Sequence, residues 1–242
     1  MKASVRFSLH PSAFILHPSA VLIHPSEARR QFRELALGEI ANADLARAAL
    51  LIALEDYPRL DVDGYLDELE DLATRVEKRC VAGEPPIFRL GHLHAEMFDV
   101  DGYTGDSGSY YDPRNAYLNE VIDRKIGLPI SLSIIFIHVA TRIGLSVAGV
   151  GLPGHFLVKV RFELNEVYVD PFHGGTTLTL KDIAELLRNV SGGAIQLTSE
   201  HLRAWSGRET IARVLGNLQN MWSRAGDTRR ANAARERLAL VS

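Results

Sequence analysis

The chain has 242 residues and a formal charge of -3, with 46% hydrophobic and 24% charged side chains, the composition of an ordinary globular protein. That balance supplies no cationic field for nucleic acid or anionic lipid. The longest apolar runs, such as 134–137 and 50–54, fall far short of the about 20 residues of a membrane helix. A single cysteine, Cys80, rules out an intramolecular disulfide framework and a cysteine-rich zinc module, and it fits a reducing, cytoplasmic setting.

From His10 the sequence reads HPSAFIL, HPSAVLI, HPS, a tandem repeat with a period of seven. Pro11, Pro18 and Pro25 each remove a backbone donor and bias the preceding His away from the helical region, so the repeat predicts a disordered tail over 1–26, not a coiled coil. The prolines also cut the apolar stretch into pieces too short for a signal peptide. Apolar spacing and capping signals then predict helices over 28–39, 44–55, 66–80 and 87–97, a helical N-terminal part spanning 27–98. A glycine-rich loop over 100–113 separates it from a core over 99–200. That core reads as an amphipathic helix over 114–125, a helix over 130–143 started by Pro129 and apolar on nearly all sides, strands over 147–151, 155–162 and 167–170, and a helix over 180–190. Helices over 210–224 and 227–240 close a C-terminal segment, 201–242. The plan is α+β, a small antiparallel meander packed on a buried helix.

Three polar residues stand out in the core: Ser131 in the first turn of the buried helix, His155 opening one strand and Asp170 closing the next. A hairpin turning near Leu164 sets Val160 opposite Asn165 and His155 directly opposite Asp170, within imidazole-to-carboxylate reach. Ser131 lies among backbone N–H groups that lack intrahelical partners, donors suited to an oxyanion. His173, with His155 and His138, also invites a two-His-one-carboxylate metal reading, but Gly174 and Gly175 make a turn the simpler account, so neither a metal nor another cofactor is expected. The repeated Asp-Val-Asp-Gly-Tyr at Asp61 and Asp99 lacks the spacing of a calcium loop.

The words Tyr111-Asp112-Pro113-Arg114-Asn115, Gly127-Leu128-Pro129-Ile130-Ser131-Leu132, Pro153-Gly154-His155-Phe156-Leu157-Val158 and Asp170-Pro171-Phe172-His173-Gly174-Gly175 occur in one order over a chain that, from about residue 30 to 242, resembles the SirB-type proteins of the transglutaminase-like superfamily. The resemblance implies a papain-like core in which Ser131 falls where catalytic transglutaminases keep Cys, His155 on their His and Asp170 on their Asp. A hydroxyl is a far weaker nucleophile than a thiol drawn toward thiolate by a helix end and an imidazolium. The leading expectation is therefore a non-catalytic binding or regulatory protein, a pseudoenzyme. The alternatives are a Ser-His-Asp hydrolase or acyltransferase using Ser131, and a scaffold with a vestigial cleft. The last 33 residues resemble one tetratricopeptide helix pair, which points to a protein partner through the C-terminal helices.

Overall fold

Helices fill the sequence ahead of the first strand in the computed structural model, which describes residues 22–242. The tail expected over 1–26 lies outside the described residues up to position 21. The last repeat copy is ordered: His24 caps α1 (Pro25–Leu37), its Nδ1 accepting from the Ser26 N–H, and Pro25 occupies the first helical turn. Proline breaks a helix interior but suits its first turn, where no N–H is needed. Ile23, just ahead of it, packs on the core, and its N–H donates to the Pro58 carbonyl.

In α2 (Leu45–Leu54) every residue but Arg47 is buried. The first Asp-Val-Asp-Gly-Tyr copy is the cap of α3 (Val62–Glu77), with Asp61 accepting from the Gly64 N–H. α4 (Pro86–His94) runs on into a π-helical turn, Ala95–Val100.

The helix expected over 114–125 is broken in two, a 3-10 turn at Pro113–Asn115 and α5 (Leu118–Arg124). Asn115 is the cause. Its backbone carbonyl accepts from the Leu128 N–H instead of from an N–H one turn further on, while its side-chain amide donates to Asp106 Oδ2 and the Ser109 carbonyl and holds the residue there.

All of residues 129–140 are buried in α6 (Pro129–Arg142), so this helix needs cover on every side. α2, α3 and α4 supply part of it, and the four-stranded antiparallel meander β3 (Ser146–Leu152), β4 (His155–Arg161), β5 (Glu166–Asp170) and β6 (Thr176–Leu178) supplies another. The three-residue β6 carries no alternation that a sequence could announce. The same holds for β1 (Thr104–Gly105) and β2 (Ile126–Gly127), which pair in parallel. α7 (Leu180–Ser191) follows the sheet.

The β4–β5 register departs from expectation. Arg161 faces Glu166 and Val158 faces Val169, because Phe162 N–H donates to the Asn165 carbonyl and centres the turn one residue later than predicted, at Glu163 and Leu164. His155 and Asp170 are thus diagonal and not directly opposed. A shift of two keeps each side chain on its own face, whereas a shift of one would have reversed it.

The C-terminal pair, α8 (Gly207–Ala225) and α9 (Thr228–Leu238), shares one apolar core with α1 to α6 through Leu215, Leu218, Met221 and Trp222. A polar relay fastens it. Trp222 Nε1–H donates to the Tyr117 hydroxyl, that hydroxyl donates to Asp56, and Arg230 donates to the same carboxylate. Arg237, buried on α9, donates to the Ile52 carbonyl of α2. Replacing Tyr117 by Phe leaves the Trp222 N–H and one Asp56 oxygen without their partner. Urea unfolding of Tyr117→Phe is expected to show a loss of about 1–3 kcal/mol with an unchanged m-value.

Candidate functional site

Strand β4 opens immediately after a tight turn at Pro153 and Gly154. Gly154 has φ +72°, and a Cβ there would lie 2.5 Å from Val190 Cγ1, so only glycine fits the turn that presents His155. His155 is almost fully buried, and its Nε2 lies 2.8 Å from Asp170 Oδ2. His173 Nδ1 approaches the same oxygen at 2.8 Å, while Asp170 Oδ1 accepts from the Phe172 and His173 N–H groups. Burial alone would raise the Asp170 carboxyl, but the hydrogen bonds and charges of His155 and His173 outweigh it and hold the group below its usual range. Phe172 stands edge-on to the His155 ring, centroids 5.8 Å apart, and is seated against Gly105, where a Cβ would lie 2.4 Å from its ring.

Ser131, the third residue of the expected triad, makes its hydrogen bond elsewhere. It is buried, and its Oγ donates to the Asn115 carbonyl at 3.0 Å. His155 Nδ1 has no hydrogen-bond partner among the described residues. That ring lines a cavity of about 170 Å³ together with Pro129 and Ile130 from the start of α6, Tyr110 and Tyr111 from the preceding loop, and Arg213 and Asn217 from α8. The α6 residues that line the cavity are Pro129 and Ile130, and Ser131 is not among them. Sequence reasoning passed over Asn115, Arg213 and Asn217. The first sits in the Tyr111-Asp112-Pro113-Arg114-Asn115 run as an ordinary loop residue, and the other two look like the solvated face of a helix far along the chain from His155.

The atoms His155 Nε2, Asp170 Oδ2 and His173 Nδ1 lie within 4.8 Å of one another, a grouping that would take a divalent cation only by giving up both imidazole–carboxylate hydrogen bonds. His138 is not among them. It lies on the far part of α6, with Nε2 3.2 Å from Glu70 of α3, and burial lowers its proton affinity.

Residues 63–216 match the transglutaminase-like superfamily. The chain belongs to that superfamily. Among curated proteins it is similar to a UPF0162 protein of Xylella fastidiosa, 33% identical over 214 residues that make up 86% of this chain and 75% of that protein. A UPF0162 protein of Pseudomonas aeruginosa is 31% identical over 187 residues, 76% of this chain and 66% of the other. Human F-box only protein 21 is 23% identical over 198 residues, 72% of this chain but 31% of that larger protein. No solved structure matches the chain significantly. The α+β architecture is that of the transglutaminase-like class, and among the described residues no helix is long and apolar enough to cross a membrane.

Asp170 stabilises the fold as an anion, so its contribution is complete above the unfolded carboxyl value of about 4 and disappears as the pH falls through the lower folded value. Asp170→Asn is expected to melt several degrees below the wild type at pH 7, with the gap closing below pH about 4. Separately, Ile130→Cys places a thiol on a helix-start residue that lines the cavity with His155, while Ser131→Cys places it against the Asn115 carbonyl. Cys80 is a reference thiol whose proton affinity is raised by burial and by Glu84. At neutral pH the Ile130→Cys thiol is expected to react with iodoacetamide at least about tenfold faster than Cys80, and the Ser131→Cys thiol no faster.

Proposed function

We propose that this chain is a SirB-type transglutaminase-like protein that works without thiol chemistry, as a cytoplasmic binding or regulatory module. Its ligand side is the cavity at His155, and its protein-contact side is the tetratricopeptide-like pair α8 and α9. The observation that carries this reading is the hydrogen bond from Ser131 Oγ to the Asn115 carbonyl. A serine nucleophile must pass its proton to a base as it attacks, and here that proton points at a backbone oxygen instead of the imidazole. Cys80 offers no substitute. It follows the last turn of α3, its Sγ 3.4 Å from the Val76 carbonyl, and it is not a lining residue of the cavity. The match to less than a third of F-box only protein 21 also supports a domain that serves as one part of a larger arrangement.

The retained His155–Asp170 bond favours the competing reading, a Ser-His-Asp hydrolase or acyltransferase, because it would fix the imidazole for proton transfer. A fluorophosphonate probe separates the two. The module reading expects no labelling of Ser131 above that of His155→Ala. Stoichiometric labelling of Ser131 that vanishes in His155→Ala would establish the hydrolase in its place.

A further inference from the structure

The cavity beside His155 is lined by hydrogen-bond donors and by no acidic side chain. Arg213 is its one cation of fixed charge. One corner of the guanidinium is anchored, Nη2–H donating to the Leu152 carbonyl at 2.7 Å, and its flat face lies 5.4 Å from the Trp205 ring. Among the described residues no carboxylate lies within ion-pair distance of it. Arg29, Arg75, Arg114 and Arg230 sit against carboxylates and hold their protons more tightly than usual, whereas burial loosens the Arg213 proton and only Tyr110 opposes it. A half-buried guanidinium without a counter-ion is an incomplete arrangement, since desolvation of the charge is repaid only by a paired anion. Asn217 lies one helical turn further along α8, on the same face, and its amide has no hydrogen-bond partner among the described residues. Neither does the Tyr110 hydroxyl across the cavity.

We propose that this cavity is a receptor for a single carboxylate, gripped by Arg213 and the Asn217 amide. The free edge of a guanidinium matches the two oxygens of a carboxylate. The charge count selects a monoanion: Arg213 is the one cation of fixed charge in the lining, and a phosphate dianion would meet only half of the charge it needs. The start of α6 adds one more donor from a lining residue, the Ile130 N–H, which as a first-turn amide has no intrahelical acceptor. At about 170 Å³ the cavity holds five or six groups of about 30 Å³ each, enough for a carboxylate on a short stem against Ile130 and Tyr110. This gives a chemistry to the ligand of the module proposed above, and it rests on that reading only for the use of the cavity in binding.

The test follows the Trp205 indole N–H signal in 1H–15N spectra of the full chain. The probes are sodium propionate, an acetylated dipeptide with a free C-terminal carboxylate, its C-terminal amide, and sodium chloride at matched ionic strength. Propionate and the free-acid peptide are expected to move the signal to saturation, and the amide and chloride to leave it in place. Tighter binding of the peptide assigns the carboxylate to a chain end or acidic side chain, and tighter binding of propionate assigns it to a small free acid. Arg213→Gln is expected to weaken binding by at least about tenfold, with Arg213→Lys in between. Asn217→Asp, which sets an acid one turn from Arg213, should weaken it similarly while the melting temperature is kept. No saturation by either acid, an equal response to chloride, or unchanged affinity in Arg213→Gln and Asn217→Asp would overturn the receptor. Labelling of Ser131 by fluorophosphonate with carboxylate binding intact would remove the non-catalytic reading and leave the receptor standing.

Discussion

The removal from water of twelve successive residues of α6, 129–140, is the constraint that organises this protein. A helix with no polar side has no preferred outer surface, so the chain must supply a neighbour for each flank. It does so with α2, α3 and α4, with the inner face of the meander, and with α8. Each fully buried Leu, Ile or Phe on α6 contributes about 1.5–3 kcal/mol, and all of those contributions require that the neighbours arrive together. The first turn of such a helix cannot bond its own amides. Polar groups therefore gather at that end, and the cavity, His155 and the Asn115 carbonyl are all found there.

Asn115 links this constraint to the chemistry. Its carbonyl accepts both from the Leu128 N–H and from Ser131 Oγ, its side-chain oxygen accepts from Arg124, and its amide holds the loop at Asp106 and Ser109. One residue thus fixes the entrance of α6, the loop in front of the cavity and the orientation of the serine. The hydroxyl is held by the same backbone oxygen that positions the helix, so redirecting it toward His155 would leave part of that anchor unmade.

Periodicity and caps made the long elements legible. α2, α3, α6, α8 and α9 all lie where apolar spacing, Pro129 and the Gly226-Asp227 pair put them. What failed to show were features set by tertiary hydrogen bonds. The break at Ala116 and Tyr117 depends on what Asn115 touches, β6 depends on a partner strand, and the β4–β5 register depends on where a two-residue turn closes. The histidine and aspartate of the site could be paired from sequence because a strand has period two and tolerates a shift of two. The arginine could not, because α8 contributes to the cavity only through the three-dimensional packing of a segment that reads locally as a charged amphipathic helix.

The fastening of α9 and α8 onto α2 has a consequence for the order in which the molecule is made. Arg237 reaches Ile52 across 185 positions, Arg230 reaches Asp56 across 174, and Arg208 reaches Ala36 across 172. Contacts of such separation close slowly, because the loop entropy is lost before the contact is gained. During synthesis at about 5–20 residues per second, the apolar faces of α2 and α6 remain without their C-terminal cover for several seconds. In that interval the apolar surface that α8 and α9 cover is open to other contacts. The cavity, which needs α8 for two of its walls, is among the last parts of the protein to exist.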